Sequence, residues 1–296
     1  MSDILNEAQD FASTIRSKKE KKGPGGIKVD PNFIEDPVVA EVVEFCINRR
    51  KNCFLWGHTG CGKSSLAINV AARLGEQMEI FNCDGETSTD NLIAKPWRRE
   101  SGELVCIHGA AVRAYKEGKV LLLEEVDHAN ADILSAIHRI MENEQDFITL
   151  NIGDEEIVER HPKFSVIATA NTNGSLDMSH LYPGVKQLNM AFLNRFAFFP
   201  QMDYIHPSME VKVLTAKTGI DESIAKMLVS VAGEARRGLE QEQLNTVLST
   251  RDLLHWSEGI VGLGMSPMQV AELSFLSRAD ENDKPTLKEL IRNRCP

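Results

Sequence analysis

A doubly wound α/β sheet followed by an all-helical domain is the fold class this sequence predicts, on three observations. Five short apolar runs suited to buried parallel strands fall at 52–56, 78–83, 120–124, 164–170 and 196–200. Stretches with helical periodicity separate them at 63–74, 110–117 and 131–143, the last with Ile133, Leu134, Ile137, Ile140 and Met141 on one face. Beyond about Asp203 the strand signals stop, and helical patterns follow with breaks at Thr218-Gly219, Gly262 to Gly264 and Asp283 to Pro285.

The elements follow in order. Residues 1–30 join a short amphipathic start (Ile4, Leu5, Ala8, Phe11, Ile15) to a basic run from Arg16 to Lys22 and the break Gly23-Pro-Gly-Gly26. This is the pattern of a helical arm with a flexible linker, its basic run suiting either a solvated linker or a contact to a neighbouring subunit or an anion. After Asp36-Pro37, the positions Val39, Val42, Val43 and Cys46 recur at helical spacing toward Arg49 and Arg50. The segment 147–163 alternates, turns at Gly153-Asp154 and alternates again, which predicts a β-hairpin inserted before the fourth strand. The expected limits are therefore an arm over 1–30, an α/β domain over 31–203 and a helical domain over 204–296.

Composition narrows the function classes. The 296 residues carry a net charge of −10 with 42% hydrophobic and 26% charged residues, a profile of ordinary globular proteins. No apolar stretch is long enough to span a bilayer, and the start of the chain lacks an apolar signal core, so a cytoplasmic protein without a membrane partner is expected. The acidic balance works against nucleic acid. The cysteines Cys46, Cys53, Cys61, Cys83, Cys106 and Cys295 show no C-x-x-C and no paired Cys/His ligand spacing, so neither a zinc site nor a disulfide framework is expected.

The chemistry is concentrated in two motifs. Gly57-His-Thr-Gly-Cys-Gly-Lys-Ser64 follows a strand and opens a helix carrying Leu66, Ala67 and Val70, the context that G-x-x-x-x-G-K-[ST] requires. Its glycines let backbone N–H groups turn inward around a triphosphate, and the helix adds its positive end. Gly57, His58, Thr59, Gly60, Cys61, Gly62, Lys63, Ser64 and Ser65 are thus the candidate ATP-binding residues, with Lys63 on the β- and γ-phosphates and the Ser64 hydroxyl on Mg²⁺. The second motif, Lys119-Val-Leu-Leu-Leu-Glu-Glu-Val-Asp127, is a strand ending in acids at the switch point of the sheet. By position Glu124 belongs to the Mg²⁺ and Glu125 to the attacking water as general base, while Asp127 reads as a cap or loop residue. Glu stands at Glu124 where most phosphate-loop enzymes carry Asp; the extra methylene either reaches a metal-bound water or disturbs octahedral geometry, so a nucleotide-gated scaffold with little turnover stays open beside an ATPase.

The order of phosphate loop, LLLEEVDHA, FSVIATANTNG, AFLNRF and LSTRDLLHW resembles the AAA+ ATPases, in the branch of MoxR-type chaperones and the CobS-type ATPase subunit of aerobic cobaltochelatase. The stretches His161-Pro-x-Phe-x-x-x-Ala-Thr-Ala-Asn-Thr172, Leu181-Tyr-x-Gly184 with Leu188-Asn189, and Ser249-Thr-Arg-x-x-x-x-Trp256 look closer to the CobS type. The resemblance covers nearly everything after residue 30. It implies an ATP-hydrolysing homo-oligomeric ring, expected to be a hexamer, acting on a partner with a von Willebrand factor A (VWA/MIDAS) domain, either for cobalt insertion or as a MoxR-like chaperone. It also implies roles for Asn171 as the first sensor, Arg195 as a finger into the neighbouring subunit and Arg251 as the second sensor. Their plain alternatives are a turn residue, a surface ion-pair partner and a first-turn surface residue. Residues 85–118 resemble the helix-2 insert of this branch, and 147–163 its pre-sensor-1 insert. Trp97, Arg98 and Arg99 in the first insert suit either substrate contact or plain packing and solvation, and His128, His138, His161 and His180 lack ligand spacing.

Overall fold

A computed structural model describes residues 27–84, 87–142, 146–152, 155–176, 182 and 184–295. The arm through Gly26, Asn143, the turn Gly153-Asp154, His180 and Leu181 lie outside the described residues. The chain divides into two units, one holding the sheet and its insertions, the other holding Gly57–Lys63 together with the chain from Met202 onward.

In the first unit, β1 (Cys53–Trp56), β2 (Met78–Asn82), β5 (Val120–Glu124) and β8 (Ser165–Ala170) form a parallel sheet in the order β1-β8-β5-β2. Strands β5 and β8 are apolar almost throughout because both their faces are covered; in β5 only the terminal Glu124 is partly exposed. Their register, with Leu122 opposite Ile167 and Leu123 opposite Ala168, brings their C-terminal ends side by side. The helices around them are α1 (Pro37–Arg49), α2 (Lys63–Leu74), α3 (Thr89–Leu92), α4 (Ala110–Glu117), α5 (Ala131–Ile140) and the single turn α6 (Met190–Leu193). Helix α5 is held at its start by the Asn130 side chain, which accepts from the N–H of Ile133, and buries Ile133, Ala136, Ile137 and Ile140.

The fifth expected strand needs correction. Residues 196–200 do not form a strand but touch β1 through isolated parallel bridges, Cys53 to Phe198 and Trp56 to Gln201. The N–H groups of Phe54 and Trp56 donate to the carbonyls of Phe198 and Pro200 at 2.9 and 3.2 Å. Pro200 has no N–H to return, so a regular ladder cannot continue. What fixes this edge is the buried Asn52. Its Oδ1 accepts from Val166 N–H at 3.1 Å, its Nδ2 donates to Arg195 C=O at 2.9 Å, and its own carbonyl accepts from Ala197 N–H at 2.9 Å.

Two antiparallel hairpins project from this unit. The pair β6 (Phe147–Asn151) and β7 (Glu155–Glu159) stands where alternation predicted it, with Phe147 opposite Glu159. The pair β3 (Ala94–Arg98) and β4 (Leu104–His108), with Trp97 opposite Val105, was not anticipated and forms the body of the 85–118 insert.

The second unit packs α7 (Pro207–Thr218), α8 (Glu222–Glu240), α9 (Thr250–Leu263), α10 (Pro267–Leu273) and α11 (Lys284–Arg294) around Leu214, Leu228, Val231, Trp256, Phe275, Leu287 and Ile291. Trp256 meets Phe275 edge-on at 5.0 Å and donates its indole N–H to Pro267 C=O at 2.7 Å. A fully buried Glu210 accepts both arms of the Arg236 guanidinium at 2.9 Å and the Thr250 hydroxyl at 2.6 Å. Among the described residues no helix is long and apolar enough to cross a membrane.

Replacing Asn52 by Ala leaves the buried Val166 N–H without its side-chain acceptor. We expect a loss of about 1–3 kcal/mol of unfolding free energy, read by urea denaturation; an unchanged midpoint would show that Asn52 does not tie the edge.

Candidate active site

The phosphate loop is shaped by its glycines. Gly57, Gly60 and Gly62 take φ of 148°, 70° and 97°. A Cβ on Gly57 would lie 2.0 Å from Met202 O, and one on Gly60 would lie 2.5 Å from Ser249 Cβ and 3.8 Å from Arg251 Cβ. At these two positions both the conformation and the space demand glycine. The buried Lys63 folds into the loop, its Nζ donating to Gly57 C=O at 2.7 Å and His58 C=O at 2.9 Å. A triphosphate is the stronger partner for that ammonium, since it brings full negative charge.

The loop's remaining residues are tied to the helical unit. The His58 ring stacks on Tyr204 with 5.8 Å between centroids and shares a 2.7 Å hydrogen bond with the Tyr182 hydroxyl. Tyr204 donates its hydroxyl to Thr59 C=O at 3.0 Å, and the Arg236 guanidinium lies 3.8 Å over its ring. Burial pushes the Tyr204 phenol well above its ordinary value, the Arg236 charge pulling weakly the other way, so it remains a donor. Cys61 is buried, points its thiol at Met202 C=O and is likewise pushed up by burial, against the opposing pull of Lys63, which makes it a poor nucleophile. Arg251 is exposed in the first turn of α9, whose start is closed by a capping box between Ser249 and Asp252. The sequence pattern places His58 in the loop but carries no sign of its partners Tyr182 and Tyr204, or of Arg236 over the Tyr204 ring, which are distant in the chain.

The acids stand in the sheet unit. Glu124 ends β5, and Glu125 directly after it takes left-handed backbone, φ 54° and ψ 44°, with its carboxylate exposed. A non-glycine residue there is strained, and such strain is held in place where it aims a side chain. Next to it Asp127 is fully buried. Its Oδ2 accepts from the backbone N–H of Asn171 at 2.8 Å and of Thr172 at 3.2 Å, while its Oδ1 has no partner among the described residues. Asp127 thus lies inside a single 3₁₀ turn, Val126–His128, where a cap or loop residue was expected, and braces the stretch that presents Asn171 at the end of β8. The Cys83 thiol beside this cluster is driven far up, first by burial and then by Asp84, Asp127, Glu124 and Glu125. Such a concentration of carboxylates favours a cation, and the hard oxygens of Glu124 and of Ser64 in the first turn of α2 suit Mg²⁺. Ser65 occupies the same turn.

Arg195 is not with these acids. Its Nη2 pairs with Glu142 at 2.6 Å and its Nε donates to His138 Nε2 at 3.2 Å, while Asn52 holds its carbonyl.

Known proteins resemble this chain in both of its parts. Residues 52–196 match the AAA domain (dynein-related subfamily), and residues 210–293 match the CbbQ/NirQ/NorQ C-terminal family. The aerobic cobaltochelatase subunit CobS of Sinorhizobium is 28% identical over 278 residues, covering 88% of this chain and 80% of that protein. Protein NorQ of Paracoccus denitrificans is 28% identical over 222 residues, 75% of this chain and 77% of that one. A RuvB mutant structure from Thermotoga maritima shares the fold, with a TM-score of 0.50 at 13% identity over 88% of this chain and 70% of that chain.

Glu125→Gly separates strain from chemistry. Relief of about 1–2 kcal/mol of left-handed strain opposes about 0.4–1 kcal/mol of added unfolded-state entropy. Stability in urea is expected to hold or rise slightly, while nucleoside triphosphate turnover falls about 10²–10⁴-fold. A marked destabilisation, or retained turnover, would contradict the reading.

Proposed function

We propose that this chain, which belongs to the AAA+ ATPases through its AAA domain and its CbbQ/NirQ/NorQ C-terminal region, hydrolyses ATP as one subunit of a homo-oligomeric, six-membered ring that remodels a partner protein. The observation that carries it is the strained, exposed Glu125 at the end of a buried strand, with Asn171 braced at the end of the neighbouring one. A scaffold that only binds nucleotide has no need to hold Glu125 in a costly conformation, which favours hydrolysis despite Glu124 at the metal position.

The residues divide the work. Lys63 exchanges its two carbonyl contacts for phosphate oxygens, and the loop N–H groups from Gly57 to Ser65 surround them. Mg²⁺, held by Ser64 and Glu124, supplies charge neutralisation on the phosphates when bound. Glu125 takes a proton from the attacking water, which Asn171 orients. Arg195 serves a neighbouring subunit's nucleotide. Its half-exposed pair with Glu142 is worth only about 0–1 kcal/mol, so it is released readily. Arg251 reports the nucleotide to the helical lid, with 31–203 and 204–296 as the moving bodies and 1–30 as an arm.

For the partner, likeness to CobS over 88% of this chain supports a chelatase-type assembly in which another subunit, bearing a VWA/MIDAS domain, holds the substrate. A MoxR-like chaperone acting on such a domain without cobalt is the second reading. The unpaired state of all six cysteines suits a cytoplasmic setting. The hairpin β3–β4, with Trp97 and Ile107 exposed, is the surface we assign to that partner.

Glu125→Gln should keep ATP binding and oligomer formation while lowering turnover about 10²–10⁴-fold. Arg195→Ala should lose turnover too, and mixing the two variants should restore part of it, because one interface in the mixed ring then carries both residues. No recovery at any mixing ratio would contradict a finger acting between subunits.

A further inference from the structure

The two hairpins meet at a group of side chains that the ATPase reading does not use. Cys106 and His108 lie two apart on β4 and so share one face of that strand, and Glu156 on β7 faces them from the second hairpin. One donor atom from each of the three, the Cys106 thiol, a His108 ring nitrogen and a Glu156 carboxylate oxygen, lie within 4.8 Å of one another. His108 Nε2 and Glu156 Oε2 are already 2.9 Å apart. From these distances the geometry points to a divalent metal site, with Cys106 Sγ, His108 Nε2 and the Glu156 carboxylate as protein ligands of Zn²⁺ and a fourth position left to water.

Two features support it. The donor set is mixed: a soft thiolate beside imidazole and carboxylate selects zinc over Mg²⁺, which takes oxygens. The ligands are also preorganised. Arg113 donates to His108 C=O at 2.8 Å, β3 pairs Ala94 with His108, and Gly109 N–H donates to Ile93 C=O at 2.6 Å, so the base of the hairpin is fixed before any ion arrives. One side-chain cation competes for the site in the metal-free protein. Lys116 on α4 contacts Glu156 Oε1 at 3.2 Å, and it lies on an exposed stem that can swing away. In the metal-free protein the Cys106 thiol is held up by burial and then by the Glu156 charge, while Glu156 is held down chiefly by its His108 hydrogen bond. On binding, Cys106 releases its proton to solvent, the proton that His108 Nε2 donates to Glu156 moves through solvent to Nδ1 so that the Nε2 lone pair is freed for the ion, and no electron moves. The sequence reading expected no zinc site because two ligands come from a C-x-H on one strand and the third from a separate insertion. Bound zinc would fasten the two hairpins to each other and so set the attitude of Trp97 and Ile107.

The test uses the full chain, stripped with chelator and free of nucleotide. Zn²⁺ alone is titrated against a chromophoric chelator, and Co²⁺ alone is followed for its thiolate charge-transfer absorption. We expect one Zn²⁺ per chain, loss of the Co²⁺ band in Cys106→Ser, and affinity about tenfold or more weaker in Cys106→Ser and Glu156→Gln. Lys116→Ala should bind more tightly, because the competing cation is gone. In the wild-type chain, Zn²⁺ should also slow alkylation of Cys106 as read by peptide mass, a measurement that stands if a variant fails to fold. No Zn²⁺ bound at micromolar concentration, equal affinity in Cys106→Ser, or alkylation of Cys106 indifferent to Zn²⁺ would overturn the assignment.

Discussion

Neither Gly57 nor Gly60 can carry a side chain, because the backbone of Met202 and the side chain of Ser249 already occupy the space. That steric constraint makes the phosphate loop a working part of the helical unit. Within that unit the loop rests on Met202 at one end and on the cap of α9 at the other, with Arg251 two residues beyond the cap. Any change in loop shape on taking up a triphosphate must therefore be felt at Met202 and Ser249, since close-packed atoms transmit displacement rather than absorb it. The polar contacts run the same way. His58 stacks on Tyr204, Tyr204 bonds Thr59 and lies under Arg236, and Arg236 grips the buried Glu210, which also holds Thr250 at the start of α9. A buried pair of this kind adds little net stability but strongly penalises the loss of either member, so it fixes one arrangement over others.

The sheet unit solves the complementary problem of presenting charge at the end of an apolar strand. Strands β5 and β8 are buried on both faces and cannot move independently, and their shared register sets the height of Glu125 and Asn171 together. Asp127 then spends a fully buried carboxylate on two backbone N–H groups, which fixes the turn after β8. Glu125 takes its left-handed conformation in the turn after β5, the one that carries Asp127. Left-handed strain is accepted here at Glu125, a relation common where a polar side chain must be held in one place.

Much of this was legible in the sequence, for identifiable reasons. The phosphate loop, the acidic strand and the β6–β7 hairpin are local patterns whose signal lies within about ten residues, and all three stand where the pattern put them. The β3–β4 hairpin was not legible, because Lys95, Pro96, Arg98 and Arg99 hide any apolar alternation and the pairing comes from the turn and from Gly109 against Leu92. The fifth strand is absent over 196–200, where apolar content outweighs, in the sequence pattern, the missing N–H of Pro200. The brace made by Asp127, the pair of Glu210 with Arg236 and the meeting of Cys106 and His108 with Glu156 join residues 26 to 48 or more positions apart. No periodicity records such contacts, since each partner alone looks like an ordinary polar residue.

The central claim is that the helical unit reads the nucleotide through the phosphate loop. Amide hydrogen exchange of the full chain, with and without ATP, measures it most directly. ATP should slow exchange at residues 204–210 and 249–253 of the wild-type chain, and Lys63→Ala should abolish that protection. Identical exchange in those segments, with ATP shown by calorimetry to be bound, would contradict the account.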